Sequence, residues 1–269
     1  MRRLYEYLEE PEIKYDGHFH AFNHKSNIEL VNGYDRAITF MDLEYDKKHI
    51  PVVKSYDQFI QNGYHPYKHI ILATGTTIED IKTIYENHKD KIRGFGELKC
   101  YDEYLGEKVP YKKISFVNQV CRFSRSIGCL PVYVHWDITN EKDLNHFKRT
   151  LGIYNDVPVV LCHCGMNDEN QTYAYTQVCQ LIKDHQNLWV DLSYTAARFF
   201  SRNVMLLDAL DKDRIILGTD VNNKMYSKKH DTEAEILDIK SQLSVIENYI
   251  GGAQRNNKNI TRLFSMFQL

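Results

Sequence analysis

Residues 158–165 read Pro-Val-Val-Leu-Cys-His-Cys-Gly, an apolar, β-branched run that stops at a histidine. Upstream, 131–135 (PVYVH) has the same build. Downstream lie 188–192 (LWVDL) and 214–218 (RIILG). Working back toward the N-terminus gives 92–97 (IRGFGE), 69–73 (HIILA), 36–40 (RAITF) and 15–19 (YDGHF). Such runs fit strands buried on both faces, as a parallel sheet requires.

Helical patterns separate most of these runs. Thr76-Thr77-Ile78-Glu79 offers a capping box for a helix reaching about His88. Ile114, Val117, Val120 and Cys121 share one helical face. Tyr175, Val178, Cys179 and Ile182 repeat that spacing, and Val204, Leu207 and Leu210 continue it after the seventh run. The second connection is weaker and leaves room for a short helix over 56–61. Strand–helix alternation implies parallel strands with right-handed crossovers. Eight units in 269 residues predict a (β/α)8 TIM barrel, for which ~250 residues is typical. The rival is a doubly wound open sheet, but no GxGxxG turn follows the first strand. No linker or change of composition divides the chain, so 1–269 is expected to be a single domain.

Two segments fall outside the repeats. Residues 2–10 are expected to cross the barrel bottom as an N-terminal plug. The tail predicts a helix over 232–250, stopped by Gly251-Gly252. A second follows from about Asn259, with Ile260, Leu263, Phe264 and Phe267 on one face.

Composition narrows the function. The chain carries 34 Lys+Arg against 36 Asp+Glu, so no net field attracts nucleic acid or an anionic membrane. No apolar run approaches the ~18 residues of a membrane span. No apolar segment follows Met1-Arg2-Arg3, so no secretory signal is expected. The six cysteines form no CxxC pair and read as reduced thiols. A cytoplasmic location is the expectation.

In such a barrel the chemistry sits at the C-terminal strand ends. Those ends carry His18 and His20, Glu97, His135, His163 and Asp220. Residues in a strand alternate faces, so His18 and His20 point together while Phe19 points to the helices. By the same alternation His163 faces inward, so Cys162 and Cys164 are expected to face the helices. The other eight histidines (24, 49, 65, 69, 88, 146, 185, 230) read as surface residues, His24 lying nearest the mouth. Imidazole and carboxylate together suit Zn, Mn, Fe, Co or Ni, in a one-metal site or a carboxylate-bridged two-metal site. Each residue alone has a plainer reading: Asp220 as a cap, Glu97 as an ion-pair partner, a lone histidine as a hydrogen-bonded core residue. The combination is what points to a metal.

The order of these pieces (GHFHAF, VYVHW, VLCHCG and LGTDV) resembles the amidohydrolase superfamily of metal-dependent TIM-barrel hydrolases, over 16–221. Gly94-Phe95-Gly96-Glu97 resembles the strand-4 Gly-Glu of TatD-like members, where the glutamate bridges two metals. The tail NITRLFSMFQL (259–269) is similar to the end of amidohydrolase 2 chains, which include hydrolases, lactonases and non-oxidative decarboxylases. Other branches carry a carbamylated lysine on strand 4, and Lys99 lies on the face of Glu97. TatD-like chains continue Gly-Glu into Gly-Leu-Asp, whereas this one continues Leu98-Lys99-Cys100-Tyr101.

The resemblance implies one or two divalent ions, zinc foremost. His18, His20 and Asp220 hold the first, and Glu97 bridges to a second at His135 and His163. Asp220 then serves as general base and acid toward a metal-activated water, and with a single ion His163 contacts the water or the developing oxyanion. The expected substrate is a small ester, lactone, amide or phosphoester, contacted by Arg198, Lys99 and Trp136, with Asn222 and Asn223 near the mouth. A metal-dependent decarboxylase and a non-catalytic metal-binding barrel are the alternatives. Neither nucleic acid nor membrane is an expected partner, and self-association is compatible with the scaffold.

Overall fold

The computed structural model describes residues 14–21, 34–41, 56–61, 63–64, 69–75, 77–100, 111–139, 141–166, 171–221 and 232–265. Eight parallel strands run in sequence order: β1 (Tyr15–His20), β2 (Arg36–Met41), β3 (His69–Ala73), β4 (Ile92–Lys99), β5 (Val132–His135), β6 (Val159–Leu161), β7 (Leu188–Asp191) and β8 (Ile215–Ile216). Between or after them lie α1 (Tyr56–Gln61), α2 (Ile78–His88), α3 (Tyr111–Ser126), α4 (Glu141–Ile153), α5 (Gln171–Asp184), α6 (Tyr194–Arg202), α7 (Thr232–Ile250) and α8 (Ala253–Ser265). This is the expected (β/α)8 barrel.

The seam closes beyond β8. Gly17 N–H donates to Leu217 O at 2.8 Å, Asp220 N–H to His18 O at 2.8 Å, and Phe19 pairs with Val221. Glycines permit this close approach. A Cβ on Gly218 would lie 2.3 Å from His18 N, and one on Gly17 would lie 2.3 Å from Ile216 Cγ2. Small residues at the seam therefore set where the first histidine stands.

Strand alternation builds two apolar layers. Ile38, Phe40, Leu72, Tyr133, Val160, Trp189 and Ile216 fill the barrel interior. Phe19, Phe95, Val134, Leu161 and Val190 face the helices. The interior is sealed by α8, whose Ile260, Leu263 and Phe264 join the inner cluster. Each such side chain contributes about 1.5–3 kcal/mol by burial. Polar side chains fix the register of this helix. Asn256 accepts from Leu217 N–H at 2.9 Å and donates to Tyr15 O at 3.1 Å, while Asn259 donates to Ile215 O at 2.7 Å. The predicted plug over 2–10 lies outside the described residues, and the bottom seal that is described is C-terminal.

Local signals explain the helix bounds. The capping box of α2 lies one residue later than the Thr76–Glu79 spacing offered: Thr77 caps the helix and exchanges hydrogen bonds with Asp80. Gly251 and Gly252 adopt positive φ and end α7 at the predicted place. Two more expectations need correction, and one helix lies where the pattern offered none. α8 begins at Ala253, not near Asn259, because its first turn is polar and carries Asn256 inward. After β7 the α-helix is α6, while 204–209 is a 3-10 turn. α4, whose Leu144, Phe147 and Leu151 are buried, was not read from the sequence at all.

Candidate metal centre

β1 carries His18 and His20 to the mouth on one face, and their Nε2 atoms stand 3.2 Å apart. Asp220 meets them from a left-handed turn with φ 58°. Its Oδ1 lies 3.1 Å from His20 Nε2 and 3.4 Å from His18 Nε2. That turn is clamped by buried Asp16, which accepts from Thr219 N–H at 2.8 Å and Thr219 Oγ–H at 2.5 Å. The residue two places before the first histidine thus positions the last carboxylate.

Glu97 enters from β4 through a register shift between Phe95 and Leu98. Its Oε1 lies 2.6 Å from His135 Nδ1 and 3.4 Å from His163 Nε2, and its Oε2 lies 3.5 Å from His20 Nε2. Lys99 Nζ stands 3.9 Å from the same Oε2. His163 follows the end of β6 in a left-handed pair with Cys164 (φ 52° and 54°), which turns its Nε2 to within 3.9 Å of Asp220 Oδ2. The structure thus brings together all six residues expected at the mouth.

Two neighbours escaped the sequence reading. Asp191, the last residue of β7, is fully buried and its Oδ2 is hydrogen-bonded to His18 Nδ1. Ser193 Oγ donates to the same Oδ2 at 3.1 Å and lies 2.9 Å from His163 Nδ1. Because the serine proton goes to Asp191, His163 Nδ1–H donates to the serine. Asp191 therefore fixes the orientation of two histidines, one directly and one through Ser193, and leaves both Nε2 atoms facing the mouth. The rule of reading the last polar residue of each strand would have found it in LWVDL.

The electrostatics explain why a cation suits this place. Burial opposes charge on Asp220, but His163, His20 and His18 outweigh it and hold the carboxyl below its ordinary range. Burial likewise opposes charge on Glu97, and His135, His163 and Lys99 win. Burial alone would lower His163, yet Asp220, Glu97 and Asp191 raise it to about 9. His135 is lowered, burial prevailing over Glu97. Buried carboxylates of this density need positive charge beside them. The donor atoms of His18, His20 and Asp220 lie within 4.8 Å of one another, as do those of His18, Glu97 and His163. Imidazoles and carboxylates within such reach fit a divalent transition ion, which takes the place of the protons on the rings.

Other expectations change. Trp136 is fully buried against Phe147 of α4 and faces the helices, because it is one residue past inward-facing His135. It is not a pocket wall. Arg198 lies on α6, 4.6 Å from the Tyr194 ring centroid and 3.4 Å from Glu235 of α7. A short helix-to-helix ion pair occupies it. His69 is buried, with Nδ1 2.7 Å from Thr39 Oγ1, and is not a surface residue. Cys162 also faces inward, among Tyr133, Val160 and Trp189. β6 ends at Leu161, so the alternation that was to turn both thiols outward holds for Cys164 alone. His24, Asn222 and Asn223 lie outside the described residues.

Fold and site together are a parallel barrel whose mouth could hold a metal ion. The sequence model of the amidohydrolase family matches residues 130–245, from the entry of β5 into α7. Over that stretch, somewhat under half of its length, the chain is similar to the amidohydrolase family. Solved structures share its fold. A zinc-bound amidohydrolase from Burkholderia multivorans aligns with TM-score 0.57 at 12% identity, covering 94% of this chain and 96% of that one. A Pseudomonas putida protein described as a 2-pyrone-4,6-dicarboxylic acid hydrolase gives TM-score 0.59 at 15% identity, covering 96% and 99%. A TatD family hydrolase from Entamoeba histolytica gives 0.57 at 13%, covering 94% and 98%. No curated protein sequence matches the chain. No helix among the described residues is long and apolar enough to cross a membrane.

Proposed function

We propose that the chain hydrolyses a small carbonyl substrate, a lactone, ester or amide, in the cytoplasm. The observation that carries this reading is the convergence of His18, His20 and Asp220 at 3.1–3.4 Å on one point of the barrel mouth. These three residues would hold the first ion, zinc by the chemistry of the donor set. Glu97 and His163 adjoin it, and a second ion would need His135 as well. A divalent cation so held supplies Lewis acidity and makes water acidic enough to ionise near neutral pH.

The protein's own groups do the rest. Asp220, kept ionised by its histidines, accepts a proton from the attacking water at Oδ2 and returns it to the leaving group. His163 Nε2 stands 3.9 Å from that oxygen and stabilises developing negative charge while its Nδ1–H remains anchored on Ser193. Lys99, partly exposed beside Glu97, is a cation placed to meet a substrate carboxylate or phosphate. Arg198 serves the substrate only by leaving Glu235. The Pseudomonas protein, described as acting on a dicarboxylic pyrone, supports a lactone with an anionic group.

Elemental analysis of protein purified without chelator, followed by a lactone, ester, amide and phosphoester panel, tests the reading. About one equivalent of metal and turnover on the carbonyl substrates is expected. About two equivalents would bring in the bridged site. A metal-free protein that binds neither Zn nor Mn would refute the proposal. Carbon dioxide release from an aromatic or dienoic acid, without hydrolysis, would replace it by decarboxylation.

A further inference from the structure

Beneath the mouth lies a second group of donors that shares His18 with the hydrolytic centre and adds a thiol, hydrogen-bonded to Glu97, and a carboxylate oxygen that the hydrolytic reading leaves unused. Cys162 Sγ, an Asp191 carboxylate oxygen and a His18 ring nitrogen lie within 4.8 Å of one another, all three side chains fully buried. Asp191 uses Oδ2 for His18 and Ser193, while its buried Oδ1 has no hydrogen-bond partner among the described residues. The Tyr133 hydroxyl, also fully buried, likewise lacks one among those residues, and its electrostatic neighbours are Asp191 and Cys162. Orphaned polar atoms in a sealed interior each cost about 1–3 kcal/mol unless something binds them. Here a carboxylate oxygen and a thiol lie together with His18, and the Tyr133 hydroxyl feels the charge of both.

We propose that Cys162, Asp191 and His18 form a deeper cation position that takes a thiophilic divalent ion, zinc or cadmium, and rejects magnesium and manganese. The sulfur sets this preference, because thiolate is a soft ligand and hard ions favour oxygen. The thiol binds as thiolate and releases its proton to solvent. Asp191 Oδ1 supplies the oxygen ligand. His18 joins through Nδ1 by exchanging its Asp191 hydrogen bond for the ion. Occupation of the deeper position therefore competes with the ring orientation that serves the upper centre, since both draw on one imidazole. Cys164 takes no part, because its side chain packs on the helix side.

Cadmium added to metal-free protein tests this by the ultraviolet thiolate-to-cadmium charge-transfer band and by 113Cd NMR. Wild type is expected to show the band, and Cys162→Ser to lose it to background while keeping an ion at the upper centre. His20→Ala should keep the band, which separates this inference from the hydrolytic site. A Cys129→Ser/Cys179→Ser variant should also keep it. No band in wild type at saturating cadmium, or a band undiminished in Cys162→Ser, would overturn the proposal. Should the serine variant fail to fold, the 113Cd spectrum of wild type decides. A sulfur-shifted resonance is expected, and resonances of nitrogen- and oxygen-bound cadmium alone would overturn it.

Discussion

Gly218→Ala tests whether the barrel seam positions the first histidine. The added methyl carbon would sit 2.3 Å from His18 N and 2.5 Å from His18 Cβ, where ordinary contact starts at 3.4 Å. Backbone must therefore move by about 1 Å, because the obstruction is main chain and cannot rotate away. Overpacking of this kind costs about 1–3 kcal/mol, and the rigid neighbour puts this case at the upper end. The same shift moves His18 Nε2 relative to His20 and Asp220 by about five times the ~0.2 Å tolerance of a metal–ligand distance. Metal affinity should fall at least about tenfold. Gly152→Ala is the matched control. It lies in α4 with nothing within 4 Å of an added Cβ, and should gain about 0.5–1 kcal/mol from helix propensity with metal binding unchanged. Denaturant unfolding and metal titration on the three proteins read both effects. A Gly218→Ala protein with wild-type stability and wild-type affinity would refute the seam argument.

Asp191→Asn should fold and yet bind metal roughly 10–100-fold more weakly, because the rings of His18 and His163 lose their common anchor; competition with a chromogenic chelator measures it. Burial raises Asp16 from 3.8 to about 6, so the folded protein holds a proton that the unfolded chain releases. Its contribution to stability is present below pH ~4 and is lost as the pH rises through ~6, about 3 kcal/mol in all, of which about 2 falls between about pH 4.5 and 7.5. The difference in unfolding free energy between wild type and Asp16→Asn should show that slope, and a flat difference would contradict it. Zinc at about a hundred times its dissociation constant should stabilise metal-free wild type by about 2.7 kcal/mol, and His18→Ala/His20→Ala should show no such gain by thermal melt while remaining folded.

Much of the barrel was legible in local pattern. Buried parallel strands need apolar runs, so the eight strands declared themselves, and Gly251-Gly252 marked the end of α7 by chain conformation alone. The mouth residues were legible because strand alternation turns His18 and His20 the same way, wherever the strand lies. What local pattern missed depends on neighbours distant in sequence. The inward turn of His163 together with Cys162 depends on β6 stopping at Leu161 and on left-handed residues after it, which period two does not describe. Trp136 falls to the helix side because α4 is there to receive it. α8 seals the bottom through three asparagine and apolar contacts to strands some 40 to 240 residues away. Which donors exist, and which strand end bears each, follows from the order of residues along the chain. That Asp191 orients two histidines and that a thiol lies beneath them follows from closure of the barrel, because those contacts join residues that meet nowhere else.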